Sequence, residues 1–427
     1  MARTMTALIA GAGATALVLS ACGGGSGSGT ANGSGDAAKK VTSIKLVAAE
    51  YSKDHTAAFW KQFAEKYKAK TGITLDVQVV SWDSIDQQSS TMIQNNNPPD
   101  LLNLNVYASY ARDKLLYSAD EVLSPAVKSD VLDPFVKSGT YTPKGGAAAM
   151  YGMPDLSSAR ALFYNKDLFT KAGITSPPKT WDEFAADAKK IQELGSGNIG
   201  YAMPLGPEES QGEFSIWTFN NGGDWKADGK WAINSAKNVE TLSFLKKLSV
   251  QDKVTQNNPG RTNRAQAFDL FTSGKAGMVV GFSPLAGTLD KAKKVNYGVA
   301  PMPTKETGGT PQTFGVTDYL MAFKKPGNQE AVKAFYELYY QKDQVNEFIK
   351  AESFLPVTKS GLVVFASDPL LKVYLDTLPN IHLTPTDDPT WDKVKLAVQQ
   401  NLGAGVGASG DPKSVLDNLQ KTAEKSS

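Results

Sequence analysis

The chain has 427 residues, with 45 Lys and Arg against 43 Asp and Glu for a formal net charge of +2, two histidines and one cysteine. Charge this close to balance, with both signs spread along the chain, carries no polyanion-binding signature, so nucleic acid is not an expected partner. The isolated His55 and His382 have no supporting metal or Ser-His-Asp motif, and a lone cysteine has no partner within the chain for a disulfide.

Arg3 precedes an apolar run from Leu8 to Leu19, the layout of a secretory signal peptide. The run is too short to span a bilayer. It ends in Leu19-Ser20-Ala21-Cys22, which resembles the bacterial lipobox, where the cysteine is lipidated and becomes the mature N-terminus. Residues 1–21 therefore read as a leader and residues 22–42 as a lipidated Cys22 with a tether. The Gly/Ser-rich residues 23–35 cannot bury apolar surface and should reach about 5 to 6 Å × √n. The remaining roughly 400 residues exceed a single hydrophobic core, so about two domains are expected.

From Ser43, SIKLVAA reads as a strand, and Phe59, Trp60, Phe63 and Tyr67 recur at helical spacing before Gly72, a C-terminal cap. The alternating Ile73, Leu75, Val77 and Val79 complete a β-α-β unit. A helix over 84–95 stops at NNNPPD, ahead of the apolar strand LLNLN. The pattern restarts at LFYNKDLF, and Thr180-Trp181-Asp182-Glu183 is a capping box opening a helix with Trp181, Phe184, Ala188 and Ile191 on one face. Trp60 and Trp181 read as core. Asp228-Gly229 between Trp225 and Trp231 predicts a hairpin turn. Helices follow around Val239 to Leu248 and over 263–271, then the strands AGMVV and YGVAP. Later helices are predicted over 329–350, over 391–402, and from Asp411-Pro412. This alternation is α/β in two lobes.

Motifs for chemistry fail on context. Gly195-Ser196-Gly197-Asn198-Ile199-Gly200 fits GxGxxG but follows a helix and precedes a strand, so no helix N-terminus is available for a phosphate. The stretch from Asp224 has Ser235 where a calcium loop needs glutamate. Glu208, Glu209 and Glu213 could supply a glycosidase pair, yet acids clustered in a loop read as solvent-facing. No catalytic residue, metal or cofactor is expected.

The stretch YGMPDLSSARALFYNKDLFTKAGITSPPKTWDEF, residues 151–184, resembles the family 1 extracellular solute-binding proteins, the group that includes maltose-binding protein. PPDLLNLN at 98–105, AFDLFTSGKAGMVVGF at 267–282 and VNYGVAPMP at 295–303 fall in the same order, so the likeness spans nearly all of residues 43–425. It implies a two-lobed periplasmic-binding-protein fold with a hinge of crossing segments near 155, 300 and 340. The lobes are expected at 43–155 plus 300–340 and 156–299 plus 341–427. It also implies a monomer that closes on a small solute and delivers it to an ABC permease outside the cytoplasm, held to the membrane by Cys22.

A sugar cleft wants aromatic faces beside polar side chains. The resemblance points to Tyr51, Asn105, Tyr107, Phe282, Thr317 and Asp318 in loops after strands, to Phe214 and Trp217 in EFSIWTF, and to Trp391 at a position like that of a sugar-stacking tryptophan. Trp391 is expected to serve binding more than the core. Many sugar-binding relatives carry an acid shortly before Tyr164-Asn165, and here Asp155 stands further off. Arg160 could instead offer a fork of donors to hydroxyls, or to a phosphate or carboxylate. The expected cargo is a mono- to oligosaccharide, with a glycerophosphodiester or other anionic solute as the alternative and an extracytoplasmic glycosidase as the lesser one.

Overall fold

Alternating apolar residues place Ser43–Glu50 and Thr74–Ser81 side by side as parallel strands, joined by the helix Thr56–Thr71. In this computed structural model, which describes residues 41–367, 374 and 381–426, the predicted leader, Cys22 and residues 23–35 lie outside the described residues. The helix buries Phe59, Trp60, Phe63 and Tyr67, and Gly72 closes it at φ 74° with its N–H on the Lys68 carbonyl. A left-handed residue here costs glycine nothing, which is why the helix stops there.

The first sheet runs Ile381–Leu383, Thr313–Ala322, Leu101–Leu104, Ser43–Glu50, Thr74–Ser81, and Met153–Ala159 pairs antiparallel with the long strand Thr313–Ala322. The second runs Tyr297–Ala300, Ala161–Asn165, Ala276–Gly281, Ile199–Ala202. A single residue, Arg160, separates the last residue of Met153–Ala159 in the first sheet from the first residue of Ala161–Asn165 in the second. The chain crosses back between Ala300 and Thr313, and again between Leu383 and Trp391.

The third crossing departs from the expectation at 340. The predicted helix over 329–350 is two helices, Gln329–Tyr339 and Lys342–Glu352, and both pack on Thr56–Thr71 beside the first sheet. Aromatic burial holds them there: Phe348 stacks on Phe59 at 4.4 Å between centroids and Tyr339 on Trp60 at 5.7 Å. Residues 342–352, expected in the second lobe, thus stand with the first.

On the second sheet, Trp181–Glu193 covers Ile199–Ala202. Thr180 Oγ1 accepts the Glu183 N–H at 3.2 Å, while the Glu183 carboxylate accepts from the Lys179 N–H at 2.6 Å, one residue before the capping position. Trp60 and Trp181 are buried, as their spacing predicts. Gly195 and Gly197 sit at positive φ in the loop between helix and strand, and Asp228-Gly229 turns the Lys226–Ala227 and Lys230–Trp231 hairpin with both φ positive. Helices Trp391–Asn401 and Pro412–Ser426 pack together, against Ser210–Phe219 and Ala236–Lys246 respectively.

Candidate functional site

Where the chain crosses between the sheets, a cavity of about 500 Å³ is lined from both. The first sheet and its loops contribute Glu50, Tyr51, Trp82, Asp83, Asn105, Val316 and Asp318, the second side Glu208, Glu209, Arg264, Phe268, Phe282, Trp391 and Lys395, and the crossing itself Arg160. The volume suits a small solute.

The first wall is built on a chain of buried hydrogen bonds. Tyr51 donates its hydroxyl to Asp318 Oδ2 at 2.8 Å, with Asn103 Oδ1 also within reach at 3.1 Å. Asn103 in turn donates to Asp155 Oδ2 at 2.9 Å, and Tyr339 donates to the other oxygen of Asp155. Asp318 Oδ1 is buried with no hydrogen-bond partner. Burial pushes the Asp318 carboxyl up to about 6, against the lowering pull of the Tyr51 hydroxyl and of Lys395, Arg264 and Arg160. Asp155, wholly inside, is pushed up to about 8, mainly by burial.

The second wall is an ionic quartet. Arg160 Nη2 lies 2.6 Å from Glu209 Oε1, while Arg264 Nη1 lies 2.8 Å from Glu209 Oε2 and its Nη2 lies 2.6 Å from Glu208 Oε1. Both guanidinium carbons sit over the Phe282 ring, at 4.1 Å for Arg160 and 5.3 Å for Arg264. The glutamates are therefore buried and paired, contrary to the solvent-facing cluster their spacing suggested. Glu213 is further inside, off the cavity lining, and accepts from the Tyr201 hydroxyl and from Trp217 Nε1 at 2.8 Å. Burial pushes it up to about 8.

Lys395 joins the two sides. From the helix Trp391–Asn401 it donates to Asp86 Oδ1 and Oδ2 at 3.0 and 2.8 Å and to Asn105 Oδ1 at 2.9 Å, and Gln399 adds a bond to Asp86 at 3.2 Å. Asn263 reaches Asp83 at 2.8 Å across the same gap.

Of the residues singled out in the sequence, Tyr51, Asn105, Arg160, Phe282, Asp318 and Trp391 border the cavity. Tyr107, Phe214, Trp217 and Thr317 do not. Tyr107 is buried beside Tyr319 with its hydroxyl on the Ser138 carbonyl at 2.8 Å. Phe214 packs on Trp225, and Trp217 holds Glu213; from their helix it is Gln211 and Gly212 that reach the cavity. Thr317 lies between Val316 and Asp318, both of which line the cavity, so strand alternation sends it to the opposite face. Glu209, Arg264 and Lys395 were missed as lining residues. Lys395 had a readable signal, since it is four residues beyond Trp391 on one helix face. Glu209 and Arg264 meet only through the fold.

A model of the bacterial extracellular solute-binding proteins matches residues 51–346. A putative binding protein of Brucella abortus (strain 2308) is 28% identical over 391 residues, covering 89% of this chain and 92% of its own. The sn-glycerol-3-phosphate-binding periplasmic protein of Agrobacterium fabrum is 29% identical over 245 residues, 52% of this chain and 55% of its own. The crystal structure of an ABC transporter solute-binding protein from Thermotoga lettingae, bound with α-D-tagatose, shares the fold at a TM-score of 0.77 and 19% identity, covering 90% of this chain and 99% of that one.

Proposed function

Because the chain belongs to the bacterial extracellular solute-binding protein family, we propose that its cavity captures a small uncharged polyhydroxylated solute, a sugar or polyol, for import. The family is one of solute-binding proteins, and the Thermotoga structure that shares the fold is the binding protein of an ABC transporter. The observation that carries the solute class is the charge state of the lining. Three of the four cations that line the cavity, Arg160, Arg264 and Lys395, are each paired with a carboxylate of the protein itself, and the fourth, Lys53, is solvent-exposed. Asp318 meanwhile offers an unpartnered acceptor oxygen. An anionic solute would meet that carboxylate with only the exposed Lys53 to offset it, whereas a hydroxyl can donate to it. The part-exposed rings of Tyr51, Trp82 and Phe268 supply apolar faces for the C–H side of a sugar.

The Agrobacterium relative binds sn-glycerol 3-phosphate by name, which makes a phosphate ester the competing cargo. Calorimetric titration against D-tagatose, maltose and short oligosaccharides on one side, and sn-glycerol 3-phosphate and glycerophosphodiesters on the other, separates the two. Binding confined to the neutral group supports the reading; binding confined to the phosphates sinks it. Glu208 and Glu209, the acids that the sequence offers as a glycosidase pair, border the cavity but are both tied to arginines, so the solute is expected to leave unmodified, and product analysis after incubation with oligosaccharides checks this. Family membership and the periplasmic relatives place the protein outside the cytoplasm. We propose that it works there as a monomer held to the membrane through lipidated Cys22 and hands its solute to an ABC permease. Detergent-phase partitioning that survives Cys22→Ala would refute the anchor, and a dimer in sedimentation would refute the monomer.

A further inference from the structure

The Glu209 carboxylate is held as a bound phosphate would be. Each of its oxygens takes a different guanidinium, Oε1 from Arg160 at 2.6 Å and Oε2 from Arg264 at 2.8 Å, and both guanidinium groups rest over the Phe282 ring. Arginine forks stacked on an aromatic face are the arrangement that recognises planar or tetrahedral oxyanions. Here the protein fills that seat with its own side chain. Glu209 is only 4% exposed and borders the cavity. Space for it is made one turn along the following helix: a Cβ on Gly212 would lie 2.9 Å from Glu209 Oε1. The carboxylate cannot shift to relieve that contact without lengthening its bond to Arg160.

From this arrangement we infer that Glu209 is the residue that determines the charge class of the solute, an internal anion that occupies the arginine seat and so excludes phosphate and carboxylate ligands. The inference rests on the reading of the cavity as a site for uncharged solutes. With Glu209 and Glu208 in place, the quartet with Arg160 and Arg264 is balanced. Neutralising Glu209 leaves Arg160 Nη2 without its carboxylate while Arg264 keeps Glu208. The cavity then gains a buried, uncompensated guanidinium whose Nε is already without a partner, and a phosphate oxygen is the group best suited to it.

The test compares wild type with Glu209→Gln by calorimetric titration with inorganic phosphate, sn-glycerol 3-phosphate and D-tagatose, each at two salt concentrations. Glu209→Gln is expected to gain at least about tenfold in affinity for both phosphates over wild type, with the gain shrinking as salt rises. Glu209→Gln/Arg264→Gln restores the balance and should lose that gain. If Glu209→Gln does not fold, Glu208→Gln takes its place, since it unbalances the same quartet and must show a gain in phosphate affinity. A folded Glu209→Gln with no gain, or a folded Glu208→Gln with none where it stands in, overturns the assignment of Glu209 alone. Phosphate binding by the wild type as tight as by the variant overturns the neutral-solute reading as well.

Discussion

Arg160 is bonded to both halves of the molecule at once: its N–H donates to the Phe314 carbonyl at 2.9 Å in the first sheet, and its side chain pairs with Glu209 at 2.6 Å on the second side. Its own carbonyl accepts from Thr313 Oγ1 at 2.7 Å. A residue placed where the chain changes sheets, with backbone and side chain bonded on opposite sides, ties the two sides together at the angle seen here. The cavity is lined from both, so its shape follows from that angle.

Replacing Arg160 by methionine keeps much of the apolar stem but leaves Glu209 with one guanidinium instead of two. Breaking a buried pair by removing one partner typically costs about 3 to 5 kcal/mol. The lower end is expected here because Arg264 remains on Glu209. The urea midpoint of Arg160→Met should therefore fall by an amount equivalent to about 3 kcal/mol, with weaker solute binding. An unchanged midpoint would mean that the pair contributes nothing net.

Lys395 is only 3% exposed, and its bonds run to Asp86 and Asn105 on the far side of the cavity. Hydrogen bonds to charged groups contribute roughly 1.5 to 3 kcal/mol, enough to shift a two-state opening equilibrium by tenfold or more. Lys395→Met also strands the Asp86 carboxylate, which then prefers solvent. Small-angle scattering of the solute-free variant should show a larger radius of gyration than wild type, and saturating solute should bring the two together. Equal radii without solute would remove Lys395 as a closing contact.

Much of this could be read locally. Gly72, the Thr180 cap and the Asp228-Gly229 turn are decided by residues within a few positions of one another, and the structure has them where the pattern puts them. Thr317 and Asp318 show a finer limit: adjacent strand residues point to opposite faces, so only one of the two could border the cavity, and which one depends on the register with Met153–Ala159. The helices Gln329–Tyr339 and Lys342–Glu352 stand with the first lobe because Phe59 and Trp60 offer aromatic surface there, a contact across more than two hundred residues. Glu209 and Arg264 are a similar case, and no local pattern marks acids in a loop as half of a buried quartet.

Glu213 gives a pH dependence with a definite sign. Its carboxyl is pushed up to about 8 in the folded protein, chiefly by burial, while an unfolded glutamate titrates near 4.3. Between these values the folded state holds a proton that the unfolded state has lost. Stability therefore falls as pH rises through this window, by up to about 1.4 kcal/mol per pH unit from this group, and levels off above the folded value. Asp155 adds a slope of the same sign up to about 8, and Asp318 up to about 6. Glu213→Gln keeps an acceptor for Tyr201 and Trp217 but cannot ionise, so chemical denaturation from pH 5 to 8 should give it a shallower decline than wild type. Parallel curves would show that Glu213 is ionised in the folded protein.

Trp391 borders the cavity, yet it is 2% exposed, lies edge-on to Trp225 at 5.3 Å and stacks on Trp231 at 6.2 Å. The expectation that it would serve binding more than the core therefore changes. It belongs to a three-tryptophan cluster, edge-on to one ring and stacked on the other, that seats the helix Trp391–Asn401, the helix from which Lys395 reaches across the cavity. Large-to-small replacement of such a ring costs about 3 to 5 kcal/mol through lost burial and the space left behind. Trp391→Ala should lower the denaturation midpoint by that amount and weaken solute binding, partly by loosening the Lys395 contact. Trp391→Phe retains a ring in the cluster and should recover most of the stability while leaving a smaller face toward the cavity. Affinity measured on the phenylalanine variant then isolates the contact with solute: a loss there with near-normal stability makes Trp391 a binding surface, and wild-type affinity makes it solely a support for the helix.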